Sequence, residues 1–377
     1  MWKALEEKLA GKLAEREAQG NLRQLRFTGN LTDFCSNDYL GLARSENLKR
    51  LIQQESEKYW QLPIGATGSR LLSGNWPLME ELETEIARFH KAEAALLFNS
   101  GYSANVGLLS AVPQRGDTVF YDEASHASLK DGMRLSFAKS YSFRHNSLED
   151  LRQKLQHASG QVFVVVESVY SMDGDQAPLV QLVELCQEFK AALVVDEAHA
   201  IGLYGPNGEG LVVELGMEKK VFARVLTYGK AMGCHGAAVV GPAVLRQFLV
   251  NYSRAFIYTT ALPTHAVLAL KGAYQLLPTL HQDREEVKQL SAYLFNQLND
   301  IETISCTPQN SVILSVFVPD AQQLKPLALA LQNQGYDIRP VMSPTVPKGS
   351  ERLRLIVHSF NTQQEIDGLV GAIKRHT

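Results

Sequence analysis

The sequence has little of what marks secreted, metal-binding or membrane-spanning chains. Its cysteines are few and widely separated, with no C-x-x-C pair among Cys35, Cys186, Cys234 and Cys306. This spacing argues against a disulfide framework or a zinc site and favours reduced thiols. No apolar run reaches the ~20 residues of a membrane-spanning helix. We therefore expect a cytoplasmic protein with no bound metal and no membrane partner.

An excess of charge of one sign is also missing. The formal net charge is -3, with 37 Lys and Arg against 40 Asp and Glu. Nothing in this balance resembles the basic footprint of a nucleic-acid-binding protein, so no nucleic-acid partner is expected.

The N-terminal residues lack the apolar core of a signal peptide, because Glu6, Glu7, Glu15 and Glu17 interrupt them. Leu5, Leu9 and Leu13 instead recur every four residues, with Trp2 near the same face. The spacing predicts an amphipathic helix that ends near Gly20. We expect it to pack on the body of the protein or on a second subunit.

Two nucleotide-binding motifs are absent. The segment Asp196-Glu197-Ala198-His199 ends the second nucleotide motif of a large helicase group, but such proteins also need G-x-x-x-x-G-K-[ST]. Lys12 and Lys230 each follow a glycine, yet Leu13 and Ala231 come next. No G-x-G-x-x-G follows a predicted strand either, which argues against a nicotinamide enzyme.

What the chain does contain is an alternation of short apolar runs with helical stretches. Runs rich in Val, Ala, Leu and Phe predict buried strands at 94–98, 118–121, 161–167, 191–196, 223–227 and 237–240. Helical patterns fall between them, at 75–89, 148–155 and 179–189. The order predicts an α/β fold with a mostly parallel sheet covered by helices on both faces.

The order of predicted helices and strands changes near Pro263. A helical region at 265–298 precedes strand patterns at 311–318, 337–341 and 352–358, with helices at 321–334 and from about 362. These patterns predict a smaller α+β domain with an antiparallel sheet. We expect an N-terminal segment at 1–45, a large domain at 46–265 and a C-terminal domain at 266–377, with a ligand cleft between the lobes.

Lys230 and Asp196 are the most informative pair. Each follows a predicted strand, so both side chains are expected at the carboxyl edge of the sheet, where open α/β folds bind ligands. A lysine amine can form a Schiff base with the aldehyde of pyridoxal 5'-phosphate (PLP), and a carboxylate can keep the pyridine nitrogen protonated. A solvent-exposed pair at the strand ends fits the same short motif.

Other polar groups also follow predicted strands. Gly101 and Tyr102 precede a helix whose N-terminal amides could bind a phosphate, although a plain turn glycine fits equally. His126 could stack on a flat ligand or cap the next helix. Ser171 precedes an Asp-Gly-Asp sequence that lacks the remaining ligands of a calcium loop, so we interpret it as a polar loop on the ligand side.

Arg354 lies on a predicted C-terminal strand, on the same face as Arg352. An arginine there could bind a substrate carboxylate through two parallel hydrogen bonds, or it could lie in solvent on an edge strand.

Seven ordered motifs along nearly the whole chain resemble the α-oxoamine synthases, PLP-dependent enzymes of fold type I. They are Ser36-Asn37-Asp38-Tyr39-Leu40-Gly41-Leu42, Gly68-Ser69-Arg70-Leu71, Asn99-Ser100-Gly101-Tyr102, Ser125-His126-Ala127-Ser128, Ser171-Met172-Asp173-Gly174-Asp175, Asp196-Glu197-Ala198-His199 and Thr227-Tyr228-Gly229-Lys230. The resemblance implies the PLP-dependent transferase fold, with a mostly parallel seven-stranded sheet in the large domain.

The resemblance also implies a role for each matching residue. Lys230 would bond the cofactor aldehyde and later act as the proton-transfer base. Asp196 would pair with the pyridinium nitrogen, and His126 would stack on the ring as a third catalytic residue. His199 would hydrogen-bond the phenolic oxygen, and Ser171 would lie beside the ring.

The phosphate and the substrates would be bound by further residues. Gly101, Tyr102 and Thr227 would lie near the cofactor and its phosphate, as would Thr260 from the neighbouring subunit of a homodimer. The resemblance assigns the substrates to Arg354, Arg23, Thr345 and Asn37, with Arg354 on the amino-acid carboxylate.

Two flanking segments, 256–263 and 344–349 leading into Arg352-Leu353-Arg354-Leu355, are similar to one branch of this family. That branch condenses L-alanine with pimeloyl-CoA or pimeloyl-acyl carrier protein. Branches that use glycine and acetyl-CoA, or that keep the fold without catalysis, are the alternatives. The chain departs from many relatives at Met79, where they have histidine, and in a shorter segment between Gln24 and Asp33.

Overall fold

The computed structural model describes residues 2–25, 27, 29–308, 310–343 and 345–377. The sequence motif at 344–349 therefore begins at a residue, Pro344, outside the described part. The α-helices, in chain order, are α1 (Lys3–Ala18), α2 (Glu46–Lys58), α3 (Pro77–Phe89), α4 (Gly101–Ala111), α5 (Ala127–Leu135), α6 (Leu148–Leu155), α7 (Leu179–Glu188), α8 (Leu211–Glu214), α9 (Ala243–Tyr252), α10 (Arg254–Ile257), α11 (Thr264–Leu276), α12 (His281–Asn299), α13 (Leu324–Asn333) and α14 (Gln363–His376).

The strands, in chain order, are β1 (Thr32–Asp33), β2 (Ala94–Phe98), β3 (Thr118–Asp122), β4 (Lys139–Phe143), β5 (Val162–Glu167), β6 (Ala192–Asp196), β7 (Ala223–Thr227), β8 (Ala237–Gly241), β9 (Ser305–Thr307), β10 (Ile313–Phe317), β11 (Tyr336–Asp337), β12 (Arg339–Val341) and β13 (Arg352–Ile356).

The chain divides into two compact units. One comprises residues 36–290 with 358–360, and the other comprises residues 1–35, 291–357 and 361–377. We call them the large unit and the small unit. The domain boundaries predicted at residues 45 and 265 stay a prediction.

The large unit is built on a seven-stranded sheet in the order β2-β8-β7-β6-β5-β3-β4. Strands β7, β6, β5, β3 and β4 pair in parallel, whereas β8 runs antiparallel to both of its neighbours. This confirms the predicted α/β fold with a mostly parallel sheet. The sequence patterns missed β4, because this edge strand is largely polar and exposed.

Both faces of the sheet are covered, as the apolar runs predicted. Successive residues of β5 belong to two different hydrophobic clusters: Val164 packs with α6 and α7, and Val165 packs with α4, α5 and α9. Every residue of β5 is buried. Glu167, the last residue of β5, is therefore a buried carboxyl group at the carboxyl end of the strand.

The small unit contains an antiparallel sheet in the order β12-β13-β10-β9 and a parallel pair, β1-β11. Helices α13 and α14 pack together beside it, and α14 begins with a capping box formed by Thr362 and Glu365. The predicted antiparallel sheet is therefore confirmed.

Two helix predictions need correction. The helix predicted at 265–298 is interrupted by a 3-10 turn, Leu277–Thr279, because Pro278 has no N–H to donate to the ladder. Helix α1 forms as predicted but buries none of its residues, so packing on the body is wrong for this helix. A second subunit remains the expected partner of its apolar face.

Candidate active site

Three neighbouring strands place polar side chains at one edge of the large sheet. Glu167 ends β5, Asp196 ends β6 and Thr227 ends β7. Glu167 and Asp196 are register partners, so their side chains leave the sheet side by side. The carboxyl edge of parallel strands is where an α/β fold binds its ligand.

Lys230 lies in a tight turn after β7. The Tyr228 N–H donates to the carbonyl of Gly236 at 3.0 Å, and the Gly233 N–H donates to the carbonyl of Lys230 at 2.8 Å. Gly233 has φ +60°, and a Cβ there would lie 2.2 Å from the backbone nitrogen of Ala43. The turn therefore requires glycine at this position.

The amine of Lys230 meets a histidine with a defined second partner. Lys230 Nζ lies 2.7 Å from His199 Nε2, and His199 Nδ1 lies 2.6 Å from the Tyr39 hydroxyl. Tyr39 donates to Asn37 Oδ1 at 3.2 Å. This chain is consistent with a proton on Nδ1, which leaves Nε2 as the acceptor that faces the lysine.

Asp196 is a buried carboxylate with two N–H donors. Asn105 Nδ2 donates to Oδ2 at 2.7 Å, and the Ala198 N–H donates to Oδ1 at 2.9 Å. Hydrogen bonds of this kind favour the charged form of a carboxyl group. The arrangement suits a carboxylate that keeps a ring nitrogen protonated.

His126 caps the start of α5. Its backbone N–H donates to Glu167 Oε1 at 2.6 Å, and its Nδ1 lies 2.8 Å from Ser128 Oγ. Burial lowers the pKa of the imidazole, while the charge of Asp196 raises it and that of Lys230 lowers it further. The imidazole is therefore neutral at physiological pH. A flat, neutral ring suits a residue that stacks on an aromatic ligand.

The N-terminus of α4 approaches the end of β7 closely. A Cβ on Gly101 would lie 2.3 Å from Thr227 Oγ1, so only glycine fits there. Ser100 caps α4 by accepting the Ser103 N–H at 3.1 Å, and the first amides of the helix have no acceptor within it. A helix N-terminus beside a threonine hydroxyl suits a phosphate group.

Tyr102 and Thr260 are the other two residues predicted near the phosphate. Tyr102, half-exposed, donates through its hydroxyl to Asp131. The carbonyl of Thr260 accepts a hydrogen bond at 2.7 Å from Asn99 Nδ2, at the end of β2. Thr260 is exposed.

The loop that carries Ser171 follows β5 and is held by His145. The His145 ring bridges two carboxylates, with Nδ1 2.8 Å from Asp122 Oδ1 and Nε2 2.8 Å from Asp175 Oδ2. The Asn146 side chain also donates to Asp175, at 2.7 Å. Asp175 is therefore bound to protein groups, as the polar-loop interpretation requires.

The predicted substrate residues outside this edge, apart from Asn37, belong to the small unit. Arg354 lies on β13, opposite Ser315 of β10 and Arg339 of β12. Arg23 donates to Thr345 Oγ1 at 3.4 Å. Arg23 and Thr345 line a cavity of about 710 Å³. Three further basic side chains also line it: Arg16, Lys325 and Arg339.

Sequence reasoning missed several residues that contact the predicted ones. Asn105 donates to both Asp196 and Ser128, Tyr39 contacts His199, and Glu167 contacts His126. The signal for Glu167 was present, since a glutamate that ends a fully apolar strand is unusual. Asn105 lies in the middle of a helix and gave no local signal.

The assembled groups fit PLP. The Lys230 amine suits the reactive aldehyde, the buried Asp196 carboxylate suits the ring nitrogen, and the neutral His126 imidazole suits the ring face. Gly101 lets the N-terminus of α4 pack directly against the Thr227 side chain, which places N–H groups and a hydroxyl together where a phosphate could bind. Fold and site together define a PLP-dependent enzyme of fold type I.

Comparison with known proteins gives the same answer. The family model "Aminotransferase class I and II" matches residues 29–373. An 8-amino-7-oxononanoate synthase of Emericella nidulans is 40% identical over 396 residues, covering 98% of this chain and 95% of the relative. One from Lysinibacillus sphaericus is 37% identical and covers 95% of each.

Solved structures agree in fold over nearly the whole length. A serine palmitoyltransferase of S. paucimobilis with a bound PLP–myriocin aldimine superposes with a TM-score of 0.89 at 27% identity, covering 99% of this chain and 97% of that one. An 8-amino-7-oxononanoate synthase of Francisella tularensis gives 0.79 at 29% identity, covering 92% and 97%. The chain belongs to the aminotransferase class I and II family and, within it, to the α-oxoamine synthases, PLP-dependent acyltransferases.

Among the described residues, no helix is both long and apolar enough to span a bilayer.

Proposed function

We propose that this enzyme condenses L-alanine with a pimeloyl thioester of CoA or acyl carrier protein. The products are 8-amino-7-oxononanoate, CO2 and the free thiol, in biotin biosynthesis. The observation that carries the proposal is the 40% identity, over nearly the whole chain, to a relative named for this product. The contact between Lys230 Nζ and His199 Nε2 supports the proposal, because the reaction needs an amine with a nearby proton acceptor.

Nine residues would hold the cofactor. Lys230 would bind the aldehyde carbon, Asp196 the ring nitrogen and His126 the ring face, while His199 would bind the phenolic oxygen. The others would lie around the phosphate and the ring: Ser171, Thr227, Gly101, Tyr102 and, from the neighbouring subunit, Thr260. Bound PLP supplies an electron sink for the carbanion at the amino-acid Cα.

Lys230 would move the proton at Cα. A base needs a lone pair on its nitrogen, and His199 Nε2 at 2.7 Å can accept a proton from Nζ. The Tyr39 contact at Nδ1 orients this imidazole. His199 would thus both orient the amine and share its proton.

Four further residues would recognise the two substrates. Arg354 would bind the alanine carboxylate with two parallel hydrogen bonds, and Asn37 would contact the substrate as well. Arg23 and Thr345 would bind the acyl thioester. This role is supported by the basic side chains that line their cavity, because a pimeloyl thioester carries a free carboxylate and the phosphates of its carrier.

The decisive experiment is a steady-state assay of four donor and acceptor pairs. L-alanine with pimeloyl-CoA and with pimeloyl-acyl carrier protein should give the highest kcat/KM, and their ratio identifies the carrier. Glycine with acetyl-CoA, or serine with palmitoyl-CoA, would be preferred if the chain were another α-oxoamine synthase. Turnover of none of them, with no PLP bound, would indicate a non-catalytic subunit.

A further inference from the structure

Two buried carboxyl groups lie next to each other at the cofactor edge. Glu167 is 3% exposed and Asp196 is 4% exposed. The two residues end adjacent strands, β5 and β6, and are register partners. Two charges in this position would repel each other and would both lose hydration, which is costly in a protein interior. One of the two groups is therefore expected to keep its proton.

The hydrogen bonds assign the charge to Asp196. Its two oxygens accept N–H donors from Asn105 and Ala198, both of which stabilise a carboxylate. Burial raises the pKa of Glu167 to about 8, and the charges of Asp196 and Asp122 raise it as well. The charge of Lys230 and the hydrogen bond from His126 act in the opposite direction. Because the effects that raise the pKa of Glu167 outweigh those that lower it, Glu167 keeps its proton at neutral pH.

A series of hydrogen bonds also connects the two carboxyl groups. Glu167 Oε1 accepts the His126 N–H at 2.6 Å, and His126 Nδ1 lies 2.8 Å from Ser128 Oγ. Ser128 accepts from Asn105 Nδ2 at 2.9 Å, and the same nitrogen donates to Asp196 at 2.7 Å. The Glu167 carboxyl group thus holds the backbone of His126, and hydrogen bonds through Ser128 and Asn105 connect the His126 ring to Asp196.

We propose that Glu167 is a positioning residue: as a neutral carboxylic acid it holds the backbone of His126 and leaves Asp196 as the only carboxylate charge of the pair. The inference rests on the proposed stacking role of His126. A neutral group at this position keeps the ring of His126 in place without adding a second anion beside the cofactor nitrogen.

The protonation state can be measured without cofactor or substrate. Infrared difference spectra of the apoenzyme, taken between pH 7 and higher values, should show the C=O stretch of a protonated carboxylic acid that disappears through about pH 8. The band should be absent from Glu167→Gln. A spectrum at pH 7 that is the same in Glu167→Gln and in the wild type would overturn the proposal.

The positioning role is tested by PLP affinity and by the induced circular dichroism of bound PLP, which reports how the ring is held. Glu167→Gln keeps the acceptor oxygen and the neutral state, so both readouts should match the wild type within about twofold. Glu167→Leu removes the acceptor and should weaken PLP binding at least about tenfold, the scale of a lost buried hydrogen bond, with a smaller dichroic band.

Equal losses in the glutamine and leucine variants would show that the charged form is needed and would contradict the inference. Unchanged PLP affinity and dichroism in Glu167→Leu would contradict it too. If Glu167→Leu does not fold, the infrared band and the glutamine variant still decide. None of these readouts uses alanine or a thioester, so their failure is distinct from failure of the proposed reaction.

Discussion

At the residue scale, the side chain of Asn105 holds the buried Asp196 carboxyl group by donating to its Oδ2 at 2.7 Å. Replacing Asn105 by alanine removes one of the two N–H donors to a buried carboxylate, which costs about 1–3 kcal/mol. Without this donor Asp196 would be held less firmly in the orientation that its proposed contact with the ring nitrogen requires. We expect Asn105→Ala to raise the PLP dissociation constant by roughly 5- to 150-fold in a titration of the apoenzyme.

The matched control is Asn251→Ala, because the exposed Asn251 side chain donates to the backbone carbonyl of Gln247 within its own helix. PLP affinity in this control should equal that of the wild type. An Asn105→Ala enzyme with unchanged PLP affinity would show that Asp196 does not bind the ring.

A second residue-scale prediction concerns Lys230. Lys230→Ala should abolish both turnover and the yellow absorbance of PLP bound through a lysine, because alanine has no amine to form the Schiff base with the cofactor aldehyde. Lys219→Ala, at an exposed lysine, should retain both. A visible spectrum unchanged in Lys230→Ala would refute the assignment.

At the scale of elements, His145 joins the end of β3 to the loop after β5. Burial alone would lower the pKa of His145, but hydrogen bonds and the charges of Asp122 and Asp175 raise it to about 10. The folded pKa lies above the ordinary value of 6.5, so folding favours the cation. The stabilisation is therefore complete below about pH 6.5 and is lost as pH rises towards 10.

We expect His145→Gln, which removes the charge, to lower the free energy of unfolding by about 1–3 kcal/mol at pH 6. The difference from the wild type should shrink steadily between pH 7 and 10, measured by urea unfolding at each pH. His157→Gln, at an exposed histidine, is the control and should show no such trend. A difference that stays constant with pH would mean that His145 is neutral in the folded protein.

The sequence predicted the central elements because their burial leaves a signal. Strands β5, β6 and β7 are rich in buried Val, Ala and Leu, and the polar residue that ends β6 indicated Asp196 as a candidate site residue. The role predicted for Thr227 came from the family resemblance. Strand β4 gave no such signal, because an edge strand with a polar face reads as a loop.

The rest of the site depends on contacts between distant parts of the chain. Asn105 and Asp196 are 91 residues apart, and Glu167 lies 41 residues from the His126 backbone that it holds. A side chain that donates to a distant carboxylate leaves no periodicity or spacing in its own segment. Family resemblance supplied the roles of Arg23 and Thr345, which composition and pattern could not.

At the scale of the whole molecule, one apolar face near the start of the chain is exposed. Its side chains, Trp2 and, on α1, Leu5, Leu9 and Leu13, are each at least half-exposed. A second copy of the chain would bury this face, and family resemblance leads us to expect a C2 homodimer. The same dimer would bring Thr260 of one subunit to the PLP phosphate of the other.

The last prediction tests this sharing of residues across subunits. Thr260→Asp places a negative charge on an exposed position, so it should leave folding intact and repel the phosphate. The Lys230→Ala and Thr260→Asp enzymes should each be inactive as homodimers. A heterodimer of the two would hold one complete site, with Lys230 from one subunit and Thr260 from the other, and one site lacking both groups.

Differently tagged subunits, co-expressed and purified through both tags, would isolate that heterodimer. We expect it to show about half of the wild-type kcat, because one of its two sites is intact. The control is a heterodimer of Lys230→Ala with wild type, which should give the same value. If Thr260 acts within its own subunit, the mixed dimer has no complete site and stays inactive while the control keeps half, and an enzyme that sediments as a monomer at assay concentrations would rule out sharing altogether.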